Sequence, residues 1–324
     1  LLTSALYFFI SKIKDQSASW RTKIQIKNQI YFSLFIFLSL LTFYGSIFLV
    51  AGFLLYFLYK KQYKNLFICL FVVFVYFLTI SPLLSQQLIN SKVALANVTN
   101  WTLVLGKANI KNLLLIPIKF SIGRISFYPK WLYWGIAGAW TGFVLYQILN
   151  IKYQTDKSKI KNIYLFVYLF IFPLFLGFII SFWTPLLQYF RFIYLIPIMA
   201  ILLSLNKNTL MYRYIVIIGF VVFSLTYLLL PQFHREDWKS LVKNLQKDRP
   251  VYMIKASSDP VKYYNNKLII KELRISNYEL KEKQITIIPY TADIYGFDYK
   301  KSLTKSGYQQ KEVKNFRELS FEIW

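Results

Sequence analysis

Carboxylates are scarce in this chain and nearly missing from most of it. Its 324 residues hold 39 Lys and Arg against 14 Asp and Glu, a formal net charge of +25. All of those acids except Asp15 and Asp156 lie in residues 231–324. Proton- and cation-coupled carriers need acids inside their apolar segments, so a pump or secondary transporter is disfavoured. Residues 1–230 also offer no general base on an outer face, because Asp15 and Asp156 both fall in expected cytoplasmic loops. The single cysteine, Cys69, excludes an internal disulfide and reads as a small core hydrophobe. The single histidine, His234, has no cysteine or carboxylate cluster of metal-ligand spacing around it and reads as a packing residue.

What the chain has in abundance is apolar length. Hydrophobic residues make up 56% of it, in runs such as 66–84, 163–183 and 214–230. These approach the roughly 20 residues that cross a bilayer, so a multi-spanning plasma-membrane protein is expected. The opening "LLTSALYFFISKIK" reads as the second half of a span, which implies an N-terminal truncation. It is no signal peptide, since no basic stretch precedes it.

Short loops rich in Lys and Arg mark the cytoplasmic side. Four qualify: 12–29, 60–64, 151–162 and 206–213. Residues 30–59, basic at both flanks, must then cross twice, as a hairpin turning at "TFYGS" (Thr42–Ser46), where Gly45 can take a positive φ. The remaining spans are 66–84, 131–149, 163–183, 192–205 and 214–230, with Trp131, Trp134 and Trp183 at interfaces. This leaves 85–130 as an outer loop, in which 113–125 is expected as an amphipathic interfacial helix. Residues 231–324 form an outer domain. The expected class is a mainly α, polytopic membrane bundle (1–230) with a small extracytoplasmic α/β domain (231–324).

The seam between the two parts has its own pattern. Trp238, Leu241, Val242 and Leu245 recur at helical spacing, with Glu236 and Asp237 at the start where acids complement the helix dipole. That structural role suffices for the two acids. Beyond it, "VYMI" and "ITIIP" read as strands, "DPVKYY" as a helix ended by Asn265 and Asn266, and "ELSFEIW" as a strand turning Leu319, Phe321 and Ile323 inward. Asn97 and Asn100 sit in glycosylation-like sequons, a short motif that by itself is weak.

Basic and aromatic residues remain at the outer ends of spans. In "TPLLQYFRFIYLIP", Arg191 opens a span between Tyr189 and Tyr194. An arginine at that depth is costly without an anion, and its planar fork suits phosphate. The alternative is snorkelling toward headgroups. Arg124 and Lys119, in "KFSIGR", are less specific candidates of the same kind.

The order of these features resembles the C-terminal part of glycosyltransferase family 39-like proteins, sugar transferases of the C-type membrane fold related to protein mannosyltransferases and aminoarabinose transferases. The similar pieces are "LLTFYGSIFLVAGFLLY", "SPLLSQQL", "KFSIGR", "RFIYLIP", "HREDWKSLVKNL", "IPYTADIYGFDY" and "GYQQKEVKNFRELSFEIW". The resemblance implies transfer of a sugar from a polyprenyl-phosphate donor to a lipid, glycan or protein acceptor on the outer face; nucleic acid is not an expected partner. It implies lipid-phosphate contacts at Arg191, Tyr194, Tyr189 and Arg124, and acceptor contacts at Thr42 and Tyr44 of the hairpin. The family's catalytic carboxylate, in its first outer loop, would lie upstream of Leu1. Where relatives carry His between Thr and Tyr, this chain has Phe43, which puts any metal or acceptor contact of that His in doubt. A divalent metal is a possible cofactor, with ligands that the sequence does not identify. The rival reading is a non-catalytic membrane scaffold whose tail binds an envelope partner.

Overall fold

The computed structural model describes all residues except 15–21, 99, 128, 150–156, 206–209, 234–235, 247–248 and 274–281. The chain is mainly helical with one small sheet. Two compact units emerge: Leu1–Ser91, Leu105–Gly123 and Tyr128–Phe223 form a helical unit, and Lys92–Val104, Arg124–Phe127 and Ser224–Trp324 form the unit that holds the sheet.

In the helical unit, α1 (Leu2–Lys14) packs along α2 (Thr22–Thr42), and a tight turn at 43–45 leads into α3 (Ser46–Tyr59). The hairpin turns where the sequence places it, but Gly45 has φ −60°, not a positive angle. The need for glycine is steric: a Cβ there would run into the Phe43 ring. The core beside the hairpin is aromatic, with Phe9, Phe32, Phe53 and Phe57 all fully buried. Next comes α4 (Tyr63–Asn97), 35 residues with Pro82 inside it. Residues 85–97, expected as the start of a loop, therefore continue a helix. The polar run Ser85–Gln87 lowers hydropathy without breaking helical backbone. After α5 (Trp101–Leu105) comes α6 (Ile110–Ile122), N-capped by Asn109. This helix buries Ile116, Ile118, Phe120 and Ile122 and packs on α7 (Lys130–Leu149). Then follow α8 (Lys157–Ile180), a 3-10 segment Tyr189–Leu195, α9 (Ile196–Leu205) and α10 (Leu210–Leu229).

Three stretches, Tyr63–Asn97, Ile163–Ile180 and Met211–Leu229, are long and apolar enough to cross a membrane. Their outer faces are bare of protein: Phe67, Phe71 and Phe74 of α4 are each more than half exposed. Large contiguous apolar surface of this kind is rare on proteins surrounded by water.

The second unit carries a five-stranded sheet in the order β2-β1-β3-β5-β4, with β1 (Val251–Met253), β2 (Ile270–Glu272), β3 (Thr286–Ile287), β4 (Glu312–Phe316) and β5 (Leu319–Ile323). β1 is parallel to β2 and β3, while β5 runs antiparallel to β3 and β4. Side chains alternate along β1, so Val251 and Met253 face one core and Tyr252 and Ile254 the other. The first core is closed by α11 (Trp238–Lys243) and α12 (Asp259–Tyr264), the second by α13 (Tyr299–Lys305). Burial on both faces explains one departure. Leu319 and Phe321 turn inward as the alternation of "ELSFEIW" predicts, whereas Ile323 is only partly buried and Glu322 between them is buried as well, 4% exposed.

At the seam, all four apolar residues of the helical pattern are buried. Asp237 is the N-cap of α11 and accepts from the Ser240 amide at 3.1 Å. Glu236 accepts from the Tyr290 hydroxyl, while His234 lies outside the described residues. The Ser240 amide holds the Asp237 carboxyl below the usual carboxylate range. A depressed folded-state pKa contributes stability above the unfolded value of about 3.9, lost as pH falls through the folded value. Asp237→Ala should therefore weaken this unit by about 1 kcal/mol. Asp237→Asn should keep most of the cap and lose that acid dependence. Hydrogen exchange of the α11 and β5 amides in the full chain, at pH 7 and near pH 3, checks both; equal protection in all three proteins would refute the assignment.

Candidate functional site

The expected site residues of the helical unit gather where regular helix stops. Between α8 and α9 the chain abandons α geometry for 15 residues, from Ser181 to Leu195. The gap is closed by specific hydrogen bonds. The Ser181 hydroxyl donates to the Gly177 carbonyl at 2.6 Å and accepts from the Leu186 amide at 3.3 Å. The Leu187 amide donates to the Gly106 carbonyl at 2.9 Å, tying the strand-like entry to the loop between α5 and α6. Gly106 has φ +90°, and a Cβ there would lie 2.5 Å from the Leu187 carbonyl oxygen. The ring of fully buried Phe192 fills the notch left by Gly177, where a Cβ would meet it at 2.5 Å.

Arg191 is the third residue of this 3-10 segment and is half-buried. Its Nη1 donates to the Pro185 carbonyl at 3.1 Å, and its guanidinium lies 5.9 Å from the Phe190 ring centre. One face of the fork is thus spent on positioning. Tyr189 is also half-buried, edge-on to Phe190. Tyr194 goes deeper: it is 8% exposed, and among the described residues its buried hydroxyl has no hydrogen-bond partner. A buried hydroxyl left unpaired costs free energy, so this atom is a waiting donor or acceptor.

The hairpin turn arrives at the same place. The ring of Phe43 lies 6.0 Å from that of Tyr194. Tyr44 donates its hydroxyl to Gln87 Oε1 at 3.0 Å, on the helical continuation of α4. The Thr42 hydroxyl turns back to the Leu38 carbonyl at 2.7 Å, inside its own helix. The structure therefore joins Arg191, Tyr189, Tyr194 and the turn, while Thr42 is spent locally. Arg124 belongs to the other unit, exposed after Gly123 at φ +74°. The Lys119 ammonium stands 5.3 Å over the Tyr133 ring.

Two contributors had no sequence signal strong enough to find them. Gln87 is 43 positions from Tyr44, and Gly106 acts only through backbone. Among the described residues no group of three His, Cys, Asp or Glu is placed to hold a metal ion. The second unit holds one further buried polar cluster. Glu322 accepts from the Tyr299 hydroxyl at 3.0 Å and from Trp324 Nε1 at 2.8 Å, and pairs with Lys300 at 3.1 Å. Burial, then the Glu322 charge, pushes the Tyr299 phenol well above its ordinary range.

No protein-family model matches the chain, and neither does any curated protein or any solved structure.

Gly106→Ala should strain the left-handed backbone and push into the Leu187 carbonyl, costing more than about 2 kcal/mol. Gly138→Ala, on an open face of α7 where an added Cβ meets nothing within 4 Å, should be neutral or slightly stabilising. Thermal unfolding of the two variants in detergent checks this; equal midpoints would contradict the junction described here.

Proposed function

We propose that the chain belongs to a multi-pass plasma-membrane glycosyltransferase that passes a sugar from a polyprenyl-phosphate donor to an acceptor on the outer face. The observation that carries this reading is the pairing of a half-buried guanidinium, Arg191, with a buried phenol lacking a partner, Tyr194, on one non-α segment. A leaving lipid phosphate gains charge in the transition state and needs fixed donors. Arg191 supplies a fork already oriented by the Pro185 carbonyl, and Tyr189 and Tyr194 supply hydroxyls beside it. Arg124 is the second phosphate candidate. Tyr44, oriented by Gln87, stands at the acceptor side. The acceptor hydroxyl also needs a base, and no residue of this chain is assigned that role.

The test is donor turnover in membranes carrying the protein as its genome encodes it, normalised to protein level. Charge-assisted hydrogen bonds are worth about 1.5–3 kcal/mol, so Arg191→Ala should slow transfer roughly ten- to a hundredfold. Arg191→Lys, which keeps the charge but loses the fork, should recover only part. Turnover at the parent rate in Arg191→Ala would show that Arg191 only snorkels. A protein with no transferase activity at all, yet whose tail captures an envelope component, would favour the scaffold reading.

The same proposal fixes an orientation, with the hairpin turn and the C-terminal unit both outside. In a Cys69→Ser background, Thr42→Cys and Ala256→Cys, both at exposed positions, should each react with an impermeant maleimide on intact cells. Labelling of only one would break the topology.

A further inference from the structure

The sheet-bearing unit contains an open cavity of about 920 Å³, at the upper end of the range that ligand sites occupy. It is framed by the β4–β5 hairpin, the loop 289–298 and the start of α13. Its floor is the Glu322 cluster. That carboxylate is saturated by Tyr299, Trp324 and Lys300, so it fixes the floor rather than waiting for a ligand.

The walls differ from the floor. Asp293 and Glu318 are exposed and, among the described residues, neither has an ion-pair partner. Asp298 caps α13 through the Lys301 amide. Ser320 and Asn315 add a hydroxyl and an amide from the hairpin. The rim is pinned by Asn100, whose Nδ2 donates to the Asp293 carbonyl at 2.8 Å and whose amide donates to the Ile294 carbonyl at 3.1 Å. Half-buried aromatic rings complete the surface, and packing holds them still: Tyr290 is edge-on to Trp238 at 4.8 Å, and Phe316 stacks on Phe321 at 5.8 Å.

Carboxylates accept hydrogen bonds and cannot donate them, so the walls call for a ligand rich in donors. An anion is repelled. A bare metal ion has no group of three ligands to hold it among the described residues. A purely apolar molecule would strand the acceptors without partners. A sugar ring meets every demand, with hydroxyl donors around its edge and C–H faces for the aromatic walls. We propose that this cavity binds a saccharide, with hydroxyls donating to Asp293 and Glu318 and a ring face against the aromatic wall at Phe316. The site is separate from Arg191 and does not depend on the transfer reaction.

The experiment is isothermal titration of the full chain in a detergent without a sugar headgroup, with no lipid donor present. The probes are chitotetraose, maltotetraose and mannotetraose, with spermine and calcium chloride as controls. At least one oligosaccharide should bind, and binding should persist at about 0.5 M salt, which screens charge–charge attraction. Asp293→Asn and Glu318→Gln should each weaken it about tenfold, the loss expected for one hydrogen bond to a charged acceptor, with circular dichroism unchanged. The proposal is overturned if none of the three oligosaccharides binds, or if the two variants bind the sugar as the parent does. It is equally overturned if spermine or calcium binds where sugar does not and is lost in the same variants, which would make the cavity a cation site.

Discussion

The constraint on which the helical unit depends is the need to pair every backbone amide and carbonyl where the chain leaves α geometry. In apolar surroundings an unpaired backbone group is costly, and irregular backbone survives only when protein encloses it. The stretch from Ser181 to Leu195 meets that demand with donors and acceptors from three places: the Ser181 hydroxyl, the Gly106 carbonyl and the Arg191 guanidinium. Phe192 in the Gly177 notch then locks the segment against α8. Arg191 consequently has two duties. One part of its fork completes the fold at the Pro185 carbonyl, and its guanidinium also lies near the Phe190 ring.

Much of the fold was legible because it rests on local rules. The helix pair around 43–45, the apolar helices α7, α8 and α10, and the seam helix α11 follow from periodicity and charge alone. Other features depend on information that periodicity does not carry. An apolar run such as "YFRFIYL" reads alike at 3.0 or 3.6 residues per turn, so the 3-10 segment was hidden. The run after Leu84 was misjudged because falling hydropathy marks the end of an apolar surface, not the end of a helix. Strands β2 and β4, in "IKE" and "EVKNF", are too polar to announce themselves; pairing with neighbours holds them. Glu322 is buried because the sheet is covered on both faces, and a two-residue alternation cannot reveal that.

In the candidate site, Arg191, Tyr189 and Tyr194 share one short stretch of sequence, so the sequence names them together. Arginine among aromatics at the end of an apolar run is a local signal, and it is what singles out Arg191. Phe43 arrives from far along the chain, about 150 positions away, and its ring rests 6.0 Å from that of Tyr194. Thr42 has the right position in sequence, but its hydroxyl is bound to its own helix. The scarcity of acids has a further effect. Asp15 and Asp156 are the only carboxylates before residue 231, and His234 is the only histidine of the chain, so residues 1–230 keep a nearly constant charge across the neutral pH range.

Seven residues wound as a 3-10 helix reach about 14 Å, against about 10 Å for the same residues wound as an α-helix. Tyr189–Leu195 is therefore a stretched element, entered just after Leu187 bonds to Gly106. The winding also sets direction. At three residues per turn Arg191 and Tyr194 stand in line on one edge, whereas α winding would turn them about 60° apart. Rewinding this one segment as an α-helix would shorten it and turn Arg191 and Tyr194 onto different edges. Reach and aim are in this way set by a single choice of helical pitch.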